Sequence, residues 1–369
     1  MAIDFPSVAL LKANNFSDVN SLSASIANLG VQPNANLIRN GDFEIAQRGA
    51  TFAAPNGYTI DGYAYYSATE GVVTVTQDTD VPTFAQAGHL SRHSLKVQVT
   101  SADTSIAAGQ LAGIFHYVEG YDIYPAVGKT LTMSFWVKAK KTGVYCVKIS
   151  NGAYDRTYVR EYTIIAADTW EKKTTTFPMD FSGGTWNYTN GVGLAISWNM
   201  ACGSTYQTTK DAWQSGNYLA TSSQVNALDS TNNYINLAQV KLEIGSVATP
   251  FVPEPYAKEL ARNLRYLEVI RCNAFSSYGT GYNYSQTVVE WTLNYSPKRA
   301  IPDSVTMYGP YYINYVASNS TWKQTNATYR SIDRCMLNIT TNTSMSAGSG
   351  CLVLDGGLGT SYIVVNAEL

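Results

Sequence analysis

Charge is scarce in this chain. Only 14% of its 369 residues are charged, and 25 Lys and Arg against 27 Asp and Glu leave a net charge of −2. No basic patch stands out, so nucleic acid is not an expected partner. Histidine is scarcer, at three residues. His89 and His93 stand at i and i+4, a spacing that holds a metal on a helix, but GHLSRHSLKV reads as a loop entering a strand and lacks the HExxH glutamate. No metal and no cofactor are therefore expected. The cysteines, Cys146, Cys202, Cys272, Cys335 and Cys351, are odd in number and show no CxxC pair. That argues against a disulfide framework and for synthesis in a reducing cytoplasm. No apolar run reaches the length of about eighteen that a membrane-spanning helix needs, so no membrane insertion is expected. The opening MAIDFPSVALLKANN lacks the form of a signal peptide. GxSxG, GxGxxG and the P-loop are missing, and no Ser-His-Asp order with a nucleophile elbow is visible.

What the chain has in quantity is tyrosine, 27 residues, and glycine, 28 residues, within a composition that is 45% hydrophobic. Tyrosine buries a large ring while keeping a polar hydroxyl, which suits both strands and binding faces. The length predicts two or three domains.

The first, residues 1–34, reads as a short helix. Ser17 and Asp18 offer a cap, Val19, Leu22, Ile26 and Leu29 follow at steps of three, four and three, and Gly30 and Pro33 end it. This seam of about two heptads is too short to be stable alone and needs partner chains or a docking surface. By the local rule, Val and Ile at a with Leu at d favour a dimer.

Residues 35–253 read as all-β. NLIRNGDFEIAQRG, Asn36 to Gly49, predicts a strand entered through an Asn-Gly turn. INLAQVKLEIGSVATPF, Ile235 to Phe251, predicts an amphipathic strand with a Pro-bounded exit. Together they are expected to be the first and last strands of one sandwich. Between them GVVTVTQ (71–77), SLKVQVT (94–100), LTMSFWVKA (131–139), TGVYCVKIS (142–150), DTWEKKTTTF (168–177) and GVGLAISWNM (191–200) alternate as strands do. Asn56-Gly57, Asn151-Gly152 and Asn190-Gly191 mark tight turns. The strand count favours a jelly-roll β-sandwich. Residues 254–271 predict a connecting helix, Tyr256 to about Ile270, opened by Pro255 with Leu260, Leu264 and Leu267 on one edge. Residues 272–369 predict a small C-terminal β-sandwich tip, with alternation at 285–295, 311–316, 334–340 and 361–369.

Sugar recognition needs flat aromatic faces for the C–H side of a pyranose and polar groups for its hydroxyls. The loop-rich stretch 181–217 supplies Trp186, Tyr188 and Trp213, with Asn187, Asn190 and Gln214 among them. Trp198, in an apolar strand, reads as core. The tip supplies Tyr278, Tyr282, Tyr312 and Trp322, of which Tyr278 and Tyr282 are expected to lie exposed in the Gly-rich loop SYGTGYNYS. Each of these aromatics has a bland alternative as strand packing.

NGDFE, SFWVKA, DTW and the QVKLE…ATPF exit, spread over Asn36 to Phe251, resemble bacteriophage tail-fibre and receptor-binding proteins. In these a jelly roll similar to carbohydrate-binding modules follows a virion-attachment segment. LLKANNFSDVNSLSASIANLGV (10–31), KRAIPDSVTM (298–307) and the ending NAEL look like features of the same proteins. The resemblance implies a homotrimer, attachment to other tail proteins through the N-terminal segment, a host surface glycan as receptor and a virion location, and the missing catalytic motifs lead to the expectation of no catalysis. Two departures stand out. The usual Asp-Arg-Trp reads Asp61-Gly62-Tyr63. Where modules with a structural calcium often carry an acid in the last strand, this chain has Gln239, a poorer ligand for a hard cation, leaving Asp42 and Glu44 as the nearby candidates. The rival readings are a glycan-cutting depolymerase and a purely structural decoration fibre.

Overall fold

The computed structural model describes residues 35–274, 277–309, 311–315, 318–341, 350–355 and 361–369. For 311–315, 318–326, 341 and 350 only the backbone is described. The expected N-terminal helix, with Val19, Leu22, Ile26 and Leu29, lies outside the described residues.

Alternating side chains build the strands of the first unit: β1 (Thr51–Ala53), β2 (Gly57–Tyr58), β3 (Tyr63–Ser67), β4 (Val72–Asp78), β5 (Ser94–Ser101), β6 (Leu111–Glu119), β7 (Thr130–Ala139), β8 (Gly143–Ser150), β9 (Arg156–Ile164), β10 (Glu171–Pro178), β11 (Val192–Cys202), β12 (Trp213–Ser215) and β13 (Tyr234–Ile244). They form two antiparallel sheets, β1-β4-β5-β13-β7-β10 and β12-β9-β8-β11-β6-β3-β2, facing each other as a jelly-roll sandwich. One alternate face of β7, Leu131, Met133, Phe135 and Val137, is fully buried, and Phe135 meets Trp198 of the opposite sheet edge-on at 6.0 Å. Each such side chain contributes about 1.5–3 kcal/mol on burial. Trp198 is core, as its apolar strand predicted.

The segment Asn36 to Glu44 is not a strand. It is a chain of turns, with Asn40 and Phe43 in the left-handed region at φ 54° and 56°. It still lies against the last sandwich strand: Leu37 N donates to Leu242 O and Val240 N to Gly41 O, both at 2.8 Å. Gly41 is required there, because a Cβ would stand 2.2 Å from Val240 O. The NGDF motif thus serves a close backbone approach to β13, which is the middle of its sheet.

The connecting helix runs Tyr256–Leu264, shorter than expected. Leu267–Arg271 is instead strand β14, because its alternating, β-branched LEVIR pairs along its whole length with Tyr362–Asn366. The rest of the tip is β15 (Ser277–Asn283), β16 (Val288–Asn294), β17 (Ser304–Tyr308), β18 (Tyr311–Tyr315), β19 (Ser318–Thr328), β20 (Arg334–Thr341), β21 (Gly350–Asp355) and β22 (Tyr362–Asn366). The small β tip takes the form of a closed barrel, β15-β16-β20-β19-β18-β21, beside the sheet β14-β22-β17. Its core is Val289, Trp291, Leu293, Leu337, Ile339 and Val353, joined by Ile363 and Val365 of β22.

Polar contacts tie the tip to the sandwich. Arg265 gives two hydrogen bonds to Glu119, at 2.9 and 2.7 Å, and the Tyr266 hydroxyl donates to the same carboxylate. Arg39 pairs with Glu368, and Tyr58 donates to Leu369 O at 2.6 Å.

Candidate functional site

The seven-stranded sheet has two apolar faces. Its inner face holds Tyr63, Ile114, Val147, Ile196 and Tyr158. The alternate residues, facing outward, form a second cluster of Ala64, Phe115, Tyr117, Cys146, Val159 and Ala195. An outer sheet face open to water would alternate to polar residues, so this one is built to be covered or to bind. Strand register fixes its central row. Val159 pairs with Lys148, Lys148 with Ser197, Ser197 with Phe115 and Phe115 with Ala64, across β9, β8, β11, β6 and β3.

Tyrosines surround this floor of Val159, Lys148, Ser197, Phe115 and Ala64. Tyr58, Tyr66, Tyr154, Tyr206 and Tyr218, all half-buried, pack against the cluster. Tyr66 meets Phe115 edge-on at 5.3 Å, and Tyr58 meets Tyr117 at 6.3 Å. The Tyr154 hydroxyl donates to that of Tyr117 at 3.4 Å. Burial first, and then the neighbouring hydroxyls of Tyr154, Tyr66 and Tyr58, push the Tyr117 phenol well above its usual value. The Tyr117 hydroxyl therefore stays protonated. Asn199 closes one side by donating to Leu219 O, which anchors the covering loop that carries Tyr206 and Tyr218. Leu369 packs at the Tyr58 end.

A second aromatic cluster stands on the sandwich edge. It unites three residues singled out from the sequence, Trp186, Tyr188 and Trp213. Phe181 lies 4.5 Å from Trp186, Trp186 lies 5.9 Å from Trp213, and Tyr188 lies 6.1 Å from Phe181. Trp186 Nε1 donates to Gly183 O and Trp213 Nε1 to Pro178 O, which fixes both indoles. Phe181, Trp186 and Trp213 also seal the edge of the inner core. Trp186 walls a groove of about 330 Å³ with Gly152, Ala153, Thr185, Asn187 and Val192. The groove and the tyrosine face share one turn: Gly152 and Ala153 line the groove, and Tyr154, next in the chain, packs against the face.

The tip separates its candidates. The Tyr278 hydroxyl donates to Ser361 O at 2.7 Å, and its ring packs on the tip core. Tyr282 is 45% exposed and its hydroxyl is held by Glu290. Both line a groove of about 720 Å³ with Thr280, Glu290, Trp291 and Asn294. Tyr312 and Trp322 lie on β18 and β19, and their side chains are outside the described residues.

The histidines that stood apart from any motif meet the NGDFE acids. His89 Nε2 lies 2.9 Å from Asp42 Oδ2, and His93 Nδ1 lies 3.4 Å from Glu44 Oε1. Ser91 donates to the other Asp42 oxygen, and Gln239 donates through its amide nitrogen to Ser91 Oγ at 3.0 Å. Desolvation raises the Asp42 carboxyl above its usual value, against the pull of the Ser91 and His89 hydrogen bonds. The side chain of Gln239 thus brings donors where a cation would want oxygens.

No family model matches this sequence, and no curated protein does. Similar solved structures include the enzymatically active domain of tailspike protein 4 of bacteriophage CBA120, at 15% identity and a TM-score of 0.32. That match covers 57% of this chain and 21% of the other, so the chain spans about a fifth of the tailspike domain. The family 11 carbohydrate-binding module of the Clostridium thermocellum cellulase Lic26A-Cel5E matches at 12% identity and a TM-score of 0.29, covering 54% of this chain and 96% of that one. A cyclase from Fischerella sp. TAU matches at 11% identity and a TM-score of 0.31, covering 57% and 98%.

Proposed function

We propose that this chain is a glycan-binding fibre protein of a virus particle, acting by adhesion and not by catalysis. The observation that carries the glycan reading is the outer face of the seven-stranded sheet. There a floor of Lys148, Ser197 and Ala64 lies under the rings of Tyr66, Tyr117 and Tyr154. A pyranose ring stacks its C–H side on such rings and exchanges hydrogen bonds with their hydroxyls. The Trp186 groove extends the surface past the 151–155 turn, and the tip groove with Tyr282 offers a second contact area.

The virion part rests on the sequence resemblance described above. In it, residues 1–34 attach the chain to other tail proteins and hold a homotrimer, and the tip is carried outermost to meet a host surface glycan. Weak single sites act together through several copies on one particle.

Glycan-array binding by the purified full chain tests the reading. Tyr154→Ala and Trp186→Ala should each weaken binding by roughly tenfold or more, the loss typical of a well-packed aromatic anchor. Normal binding by both variants moves the site to the tip, and no binding by the wild type to any glycan removes the reading. Release of reducing ends from a bound glycan would favour the depolymerase instead. Light scattering should return three times the chain mass, and a monomer at micromolar concentration would exclude the trimer.

A further inference from the structure

Three lysines are buried among the described residues: Lys148, Lys241 and Lys298. Two have a carboxylate. Lys241 lies 3.2 Å from Glu243, and Lys298 lies 2.7 Å from Glu268. Lys148, with no exposed surface, has none. Its ammonium donates once, to Ser150 Oγ at 2.6 Å, and lies 4.8 Å from the ring centre of Tyr154. An ammonium has three N–H donors, so two are unspent by this hydrogen bond. The titratable groups that share its face are Cys146 of the same strand, Cys202 of β11, Glu161 of β9, Tyr117 of β6, Tyr154 of the turn, and the surrounding Tyr58, Tyr66, Tyr206 and Tyr218. Glu161 is committed elsewhere: it accepts from Lys210 at 2.5 Å and from Thr221 at 2.6 Å. A buried cation without a counter-ion costs several kcal/mol, and most proteins avoid it. This one stands at the centre of the floor, under the tyrosines.

We propose that the face binds a saccharide bearing a carboxylate, and that Lys148 is the residue that recognises it. The inference rests on the glycan-binding reading and names the ligand class for that site. The carboxylate supplies the missing counter-ion. Its two oxygens take the free ammonium donors, while the sugar ring stacks on the surrounding tyrosines. The half-exposed ring of Tyr154 covers Nζ, so the ligand reaches it when that ring swings aside. The turn from Asn151 holds Tyr154 at φ 57°, a left-handed conformation that a bulky side chain tolerates poorly. From this turn the half-exposed Tyr154 ring packs on the outward cluster at the solvent edge of the face.

The experiment is titration calorimetry on the full chain with uronate-containing oligosaccharides of several linkages, the carboxyl-reduced neutral counterpart of each, and sulfated counterparts. At neutral pH the wild type should bind the best uronate about tenfold or more tighter than its reduced form. Lys148→Met should abolish that preference while still binding the reduced form, with a melting temperature at or above that of the wild type. Because the contact needs the charged amine, wild-type affinity for the uronate should fall as the pH rises from about 6 to about 9, while that for the reduced form stays level. Equal affinity for the uronate and reduced forms, or a preference that survives in Lys148→Met, overturns the inference and leaves the glycan reading standing. An equal or greater preference for the sulfated form overturns the carboxylate assignment. Binding to none of these, and to nothing on a glycan array, overturns the glycan reading itself.

Discussion

Arg39 and Glu368 are 329 residues apart in sequence and form an ion pair in which each side chain is 4% exposed. The same carboxylate reaches Arg48 at 3.1 Å, and the Arg39 guanidinium lies 3.7 Å from the ring centre of Tyr266. One acid near the end of the tip is thus shared by two arginines of the sandwich, and the ring of Tyr266 covers one of them.

The first prediction concerns this joint. Glu368→Ala leaves Arg39 buried without its counter-ion, which should cost roughly 3–5 kcal/mol. Calorimetry should show a lowered melting temperature, or a tip transition split from that of the sandwich. The double variant Arg39→Leu with Glu368→Leu should recover much of the loss. A single variant that melts like the wild type would mean that the two units are held by other contacts.

In the tip, Tyr278 and Tyr282 come from one Gly-rich strand but should respond differently. Tyr278→Phe removes a hydrogen bond to Ser361 and should cost about 1 kcal/mol of stability. Tyr282→Ala, at an exposed position, should change stability by less than about 0.5 kcal/mol. If the tip groove meets the host, Tyr282→Ala weakens adsorption and Tyr278→Phe does not. Equal adsorption by both variants and the wild type would leave the tip groove without a receptor role.

Much of the architecture is legible in the sequence. SLKVQVT and LTMSFWVKA alternate cleanly, and both are strands with one alternate face in the core. What escaped is what depends on register. TGVYCVKIS shows a lysine between Val147 and Ile149, and IFHYVE shows Phe115 and Tyr117 two apart. Only the pairing of β8 with β11, and of β11 with β6, brings Lys148, Ser197 and Phe115 into one row. The signal available was a lysine opposite the core face of an otherwise apolar strand. NLIRNGDFE misled because its Asn-Gly pair reads as a turn into a strand, whereas its backbone follows the close approach of Gly41 to Val240. The helix overran because Leu267 continues the spacing of Leu260 and Leu264, although Val269 and Ile270 favour a strand.

Chelation should leave the sandwich unchanged. Both Asp42 oxygens already have partners in Ser91 and His89, and Gln239 brings an amide donor to the same network. Excess EDTA, or added calcium in the millimolar range, should therefore shift the melting temperature by no more than the buffer control. A rise of several degrees with calcium would show a site that these contacts give way to, and would make Gln239→Asp the next variant to measure.

Stability should depend on pH through Lys148. Burial pulls its amine from 10.5 down to about 7. Below about pH 7 the folded and unfolded chains both carry the charge, and the cost of burying it is borne in full. Between about pH 7 and 10.5 the folded amine is neutral while the unfolded one still holds its proton, so unfolding takes up a proton and stability rises with pH. Lys148→Met removes both the charge and this dependence. The variant should be more stable than the wild type by a few kcal/mol near pH 6, and the gap should narrow steadily towards pH 10. Other titrating groups cancel in the difference, because they are common to both proteins. Denaturant melts of the pair at about pH 6, 8 and 10 measure it. A gap that is constant, or that widens with pH, would mean that Lys148 keeps its charge in the fold and has found a counter-ion.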